Sequence, residues 1–189
     1  YLFRAQINRI EGDASQAVQE FWKNTNGEGM NIDEFMRIVS LKGSMVGCPW
    51  IIVDSNHNSK DEKATRRDDE DSKIYAYIVM PEMILDMSFS EEDGELDWLL
   101  VQESIRDDKD PWTSTGDLGV RYRLWTRTHW YLFTPNFISR TNSTYKEESG
   151  EHDLNMVPAF RADNFISNDK YVSPALINDI AYLDRAVAN

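Results

Sequence analysis

The sequence predicts an α+β fold, with N-terminal helices packed on a mostly antiparallel sheet and a helix at the C-terminal end. Two observations carry that expectation. Apolar residues recur at helical spacing up to about residue 46 and again after Ser173, whereas between Ile74 and Phe160 the period drops to two. The segments also follow one another as helices, a strand, a charged loop, antiparallel strands and a final helix, which is the order of an α+β fold. Residues 1–189 are read as a single α+β domain.

Taken in order, Gly12-Asp13 reads as a turn and N-cap with Gln16 three residues on, as in a capping box. Ala17, Val18, Phe21 and Trp22 then share a helical face. Two glycines in Asn24–Met30 interrupt the helix. Asn31 caps a second one, with Glu34 at the third helical position and an apolar stripe of Ile32, Phe35, Met36 and Val39. Gly43 and Gly47 weaken its end and Pro49 stops it. Trp50-Ile51-Ile52-Val53 is wholly apolar and largely β-branched, hence a buried strand. The segment 55–73 is strongly charged and is expected to be an exposed loop.

Ile74–Met80 and Ile84-Leu85 read as strands interrupted by Pro81, and Asp93-Gly94 centres a hairpin turn. In Leu96–Arg106, Trp98 and Leu100 fall on one face and Leu99, Val101 and Ile105 on the other. Val120–Phe133 reads as one long strand with room for a bend. Thr144–Lys146 and Met156–Phe160 are shorter strands. Ser173-Pro174 then predicts an N-cap and first-turn proline, ahead of a helix whose Leu176, Ile177, Ile180, Leu183 and Val187 face the core.

Composition limits function. Twenty basic against thirty-three acidic residues give a net charge of −13. That balance disfavours tight, sequence-independent DNA binding, which depends on lysine and arginine displacing counterions. A single cysteine, Cys48, excludes an internal disulfide, fits a reducing compartment and is expected to be a small buried thiol. No apolar run approaches the roughly 20 residues of a membrane helix, and no signal peptide is visible. The sequence opens on Tyr1 without Met and stops at Asn189 inside a helical pattern, which reads as a segment of a longer polypeptide.

Three arrangements bear on chemistry. From Asn24, oxygen ligands and Gly29 fall at calcium-loop positions through Asn26 and Glu28, but position 12 is Phe35 where such a loop needs a bidentate glutamate, so a plain helix–turn–helix is expected. Asp61-Glu62-Lys63 and Asp107-Asp108-Lys109 have the composition of a nuclease metal unit, yet both fall in charged loops, and solvated loops are the expectation. His57, His129 and His152 have no ligand spacing, and no nucleophile elbow, phosphate loop or dinucleotide fingerprint occurs. No catalytic residue, metal ligand or cofactor is assigned, and the chain is expected not to be an enzyme. If Val120–Leu132 is extended, Arg121, Arg123, Trp125, Arg127, His129 and Tyr131 point one way, with Val120, Tyr122, Leu124, Trp130 and Leu132 towards the core. The former make a candidate stripe for nucleic acid or a partner. The competing expectation is that its arginines pair across strands with Asp97 and Glu103.

Several segments together resemble the portal proteins of tailed bacteriophages. They are Glu20-Phe21-Trp22 through Phe35-Met36-Arg37 to Gly47-Cys48-Pro49-Trp50-Ile51-Ile52-Val53-Asp54; Met80-Pro81-Glu82-Met83-Ile84-Leu85-Asp86 followed by Gly94-Glu95-Leu96-Asp97-Trp98; and Gly150-Glu151-His152-Asp153-Leu154-Asn155-Met156-Val157-Pro158 followed by Ser173-Pro174-Ala175-Leu176. The last is similar to a portal motif built on Gly150, His152, Asn155, Val157 and Pro158, with Asn155 standing where the pattern has glycine; asparagine tolerates a left-handed backbone best of the other residues. The resemblance covers the wing and core region and lacks the stem and clip. It implies a structural subunit of a homo-oligomeric ring, typically a dodecamer, at one vertex of the capsid. Through that ring double-stranded DNA is packaged and ejected. Capsid protein, the terminase packaging motor and head-completion or tail proteins would be its partners, with no membrane involved, the virion its location and the host cytoplasm its place of assembly. A metal-dependent nuclease and a monomeric protein- or nucleic-acid-binding module are the alternatives.

Overall fold

A computed structural model describes residues 15–55, 73–108, 110–135, 145–165 and 169–188. The chain is α+β. In order its elements are α1 (Gln16–Lys23), α2 (Ile32–Val46), β1 (Trp50–Ser55), β2 (Ile74–Val79), a 3₁₀ turn (Pro81–Met83), β3 (Ile84–Phe89), β4 (Leu96–Arg106), β5 (Leu118–Thr126), β6 (His129–Pro135), β7 (Tyr145–Glu151), β8 (Ala159–Arg161) and α3 (Asn178–Ala188). Two compact units result, one formed by the chain up to Pro81 together with Ala159 onward, the other by Glu82–Pro158.

In the first unit, α1 starts after an extended Ser15; the cap expected at Asp13 lies outside the described residues, as does the loop expected at 55–73 apart from its two ends. Asn31 caps α2 as its side chain predicts, Oδ1 accepting the N–H groups of Asp33 and Glu34 at 3.0 Å each. Asp33 and Glu34 also place negative charge on the positive end of the helix. Phe35, Val39 and Ala76 form the core here, with Phe21, Met30, Met36, Ile51, Val53, Ile78 and Ala162 around them. Strand β1 is central in a three-stranded antiparallel sheet of order β2-β1-β8. Its alternation buries Trp50 and Ile52, the latter fully. Cys48 is buried, as expected of an apolar neighbourhood.

Helix α2 ends at Gly47, whose φ of +90° is open to glycine at little cost. A Cβ there would also run into the Ser173 carbonyl oxygen. The chain after β8 returns to this corner. The Leu176 N–H donates to Ser44 O at 3.0 Å, and the buried Ser173 hydroxyl donates to Phe165 O at 3.2 Å. Those bonds correct the expected helix start. Ser173 and Leu176 serve the corner instead of capping a helix, and α3 begins only at Asn178. The stripe expected to face the core is corrected too: Leu176, Ile177, Ile180 and Val187 are all exposed, Val187 at 87%.

The second unit is a five-stranded antiparallel meander, β3-β4-β5-β6-β7 in sheet order. Asp93-Gly94 makes the β3–β4 turn as predicted, with Gly94 at φ +71° and the Ser90 N–H donating to Glu95 O at 2.8 Å. Leu99 pairs with Trp125 and Val101 with Arg123, so these four share a face; Leu99 and Val101 are wholly buried and Trp125 is 3% exposed. The single strand expected over Val120–Phe133 is two, joined at Arg127-Thr128. Thr126 makes that turn: its hydroxyl oxygen accepts the His129 N–H at 2.9 Å and its O–H donates to His129 O at 2.9 Å. A threonine supplying both bonds replaces the glycine, proline or asparagine by which hairpins are read from sequence.

Candidate functional site

The candidate stripe straddles the β5–β6 hairpin. Because β5 pairs with β4 through Glu103↔Arg121, Val101↔Arg123 and Leu99↔Trp125, the arginines of β5 stand over an acid and an apolar pair on the same face. Glu103 holds both: Oε1 accepts Arg123 Nε–H at 2.9 Å and Oε2 accepts Arg121 Nε–H. The Glu103 and Arg123 side chains are 16% and 14% exposed, so this is a partly desolvated triad in which each charge needs the others. The Arg123 guanidinium also sits 5.7 Å from the centre of the Trp125 ring, within cation–π range.

Arg127 projects from the turn and grips the β3–β4 turn in a two-pronged contact, Nη1 to Asp93 Oδ2 at 2.8 Å and Nη2 to Asp93 Oδ1 at 2.9 Å. Its Nε lies 2.9 Å from Asp97 Oδ1, an ion pair lacking the alignment of a hydrogen bond. Arg127 is the first cause of an Asp93 carboxyl held far below the ordinary carboxylate range, followed by the Glu95 N–H and the Ser90 hydroxyl. The Arg127 guanidinium is held above its ordinary value, chiefly by the same bonds to Asp93. His129 opens β6 with Nε2 3.3 Å from Glu151 Oε1, Nδ1 2.8 Å from the Thr128 hydroxyl, and its ring stacked near Tyr131.

The expected face is therefore corrected. Tyr131 pairs with Leu124, and Trp130 with Trp125, so Trp130 and Leu132 lie on the face of Arg123 and Trp125 while Tyr131 lies opposite. A one-residue difference between strand and hairpin moves every later side chain to the other face. Trp125 is buried, and Arg121, Arg123 and Arg127 each face a carboxylate of their own sheet. Pairing with Asp97 and Glu103, the competing expectation, is what the ion pairs of the sheet contain.

The segment Gly150–Pro158 closes the same hairpin. Gly150 pairs with Trp130, and a Cβ on it would meet the indole at 2.8–2.9 Å. The His152 N–H donates to Thr128 O at 2.8 Å, and its Nε2 lies 3.1 Å from Thr126 O, which makes that nitrogen the donor. Its ring lies 6.0 Å from Trp125. Asn155 adopts φ +54°, the left-handed conformation its side chain tolerates, and Val157 and Pro158 are buried. Each of the five residues thus has a structural task.

In the interrupted helix pair, Asn24 Oδ1 accepts the Gly29 N–H at 2.6 Å, and Asn26 Oδ1 accepts those of Glu28 and Met30 at 3.0 Å each. The oxygens a cation would need serve the turn itself. Asp107 Oδ2 accepts the Thr115 N–H and hydroxyl at 2.8 and 3.1 Å; Lys109 and the whole Asp61-Glu62-Lys63 unit lie outside the described residues. Among the described residues no three His, Cys, Asp or Glu side chains gather in a way that holds a metal, and no helix there is long and apolar enough to cross a membrane. Comparison with models of known protein families and with curated proteins finds no match.

Proposed function

We propose that the chain is a structural module of a portal-type ring, the wing and core region of a subunit that assembles with copies of itself around a channel for double-stranded DNA. The observation that carries the reading is the internal neutralisation of the sheet. Glu103 answers Arg121 and Arg123, and Asp93 with Asp97 answers Arg127, in a chain of net charge −13. A surface of this kind lets a phosphate backbone slide by, where free arginines would hold it. The ordered motifs from Glu20 to Leu176 support the same reading, and so do the structural tasks of Gly150, His152, Asn155, Val157 and Pro158. In this reading the module does no chemistry. The capsid protein, the ATP-driven terminase motor and head-completion or tail proteins dock on the ring, in the virion, after assembly in the host cytoplasm. The nuclease alternative loses support at Asp107, whose carboxylate is engaged by Thr115.

The test is native mass spectrometry with negative-stain imaging of the polypeptide that carries this chain. A closed ring with a central hole is the expected result, since a heterologous contact that closes gives cyclic symmetry. A monomer at every concentration, with and without capsid scaffold, overturns the reading.

A further inference from the structure

Six tryptophans occur in the chain, and five are buried or half-buried. The sixth, Trp112, is 93% exposed. It stands in the loop joining β4 to β5, and that loop is held from within. The Asp107 N–H donates to Asp117 O and the Gly116 N–H to Asp107 O, both at 2.9 Å, while Gly116 takes φ +73°. Asp110 organises the tip: Oδ1 accepts the Trp112 N–H at 3.0 Å, Oδ2 accepts the Thr113 hydroxyl at 2.6 Å, and its own N–H donates to the Ser114 hydroxyl at 2.9 Å. Leu118, where β5 begins, is 82% exposed.

We propose that this loop is a docking element, with Trp112 as the anchor that enters an apolar pocket of a protein partner whose rim carries lysine and arginine. Three features argue for that occupant. Water-exposed indole is unfavourable, and tryptophan is among the residues enriched where one protein grips another. The internal hydrogen bonds fix the loop before any partner arrives, which removes much of the ordering entropy that binding otherwise opposes. The charge around the anchor is acidic: Asp107, Asp108, Asp110 and Asp117 outnumber Arg106 and Lys109. That imbalance disfavours an anionic lipid surface and complements a basic rim. The inference does not rest on the portal reading.

The test pans a random-peptide display library on immobilised wild-type chain, with counter-selection on Trp112→Ala, and then titrates the recovered synthetic peptides. Basic peptides with a large apolar side chain are expected. Trp112→Ala should weaken them by at least about tenfold, the range in which buried aromatic anchors act. Asp108→Asn with Asp117→Asn, or added salt, should weaken them less steeply. Because Trp112 is exposed, Trp112→Ala keeps the wild-type near-ultraviolet circular dichroism apart from the lost indole. Peptides that bind Trp112→Ala equally well, or a library from which wild type retains nothing beyond what Trp112→Ala retains, overturn the proposal. So does Trp112-dependent binding to phosphatidylcholine vesicles, which would make lipid the occupant, or a wild-type dimer that Trp112→Ala dissociates, which would make it a second copy.

Discussion

Gly150 lies against the indole of Trp130, its cross-strand neighbour, so closely that a single added methyl group would meet the ring at 2.8–2.9 Å. The glycine and the tryptophan are one packing unit, a large ring filling the place of a missing side chain. Gly150→Ala is expected to destabilise the protein by about 1–3 kcal/mol, the usual effect of overpacking. Trp130→Leu should lower stability through lost burial, but the double variant should lose less than the two single losses added. Urea denaturation of the four proteins in a double-mutant cycle reads the coupling, and strict additivity would refute it.

Glu103 bridges Arg121 and Arg123. Glu103→Gln keeps the shape and removes the charge that both cations face, so a loss of about 1–3 kcal/mol is expected. Arg121, the more exposed arginine at 32%, should matter less than Arg123 at 14% when each is changed to methionine. Denaturant midpoints of the three variants give the order.

Asp93 supplies a pH dependence. Its folded carboxyl is depressed, first by Arg127, while the unfolded group titrates near about 3.9. A depressed acid contributes stability that is fully present above the unfolded value and is lost as pH falls towards the folded one. The stability difference between wild type and Asp93→Asn should be constant from neutral pH to about pH 5 and shrink below about pH 4. Unfolding curves at successive pH values test it, and a difference that grows on acidification would reverse the sign.

Asn31 caps α2 with two backbone acceptances, so Asn31→Ala should cost about 1 kcal/mol and Asn31→Ser much less. Thermal unfolding of the two variants separates the cap from any general effect of the site.

Where local chemistry decides the structure, the sequence was readable. Asn31, Asp93-Gly94 and Asn155 sit as their side chains predict, and the alternation in Leu96–Arg106 sorts its residues onto the right faces. The faces of the stripe are not legible in the sequence because the β5–β6 turn is made by Thr126 hydrogen bonds, and threonine in a run of β-formers carries no turn signal. The start of α3 is hidden for a related reason. Ser173-Pro174 is good capping chemistry, but contacts with Phe165 and the close approach of Gly47 take Ser173 elsewhere, and nothing local to the pair reveals them. Trp112 carries no signal in the sequence, because an aromatic outside any periodic segment has no face to be assigned to. Only its exposure distinguishes it.

The order of strands in the first unit has a consequence for how the polypeptide comes together during synthesis. β8 flanks β1, yet between β2 and β8 the chain makes the whole of Glu82–Pro158. A ribosome therefore releases β1 and β2 long before the strand that completes their sheet. Until β8 emerges, the outer edge of β1 is an open template of unpaired amides and carbonyls on an apolar strand, the kind of edge that recruits foreign strands. The pairing of β8 with β1 closes that edge.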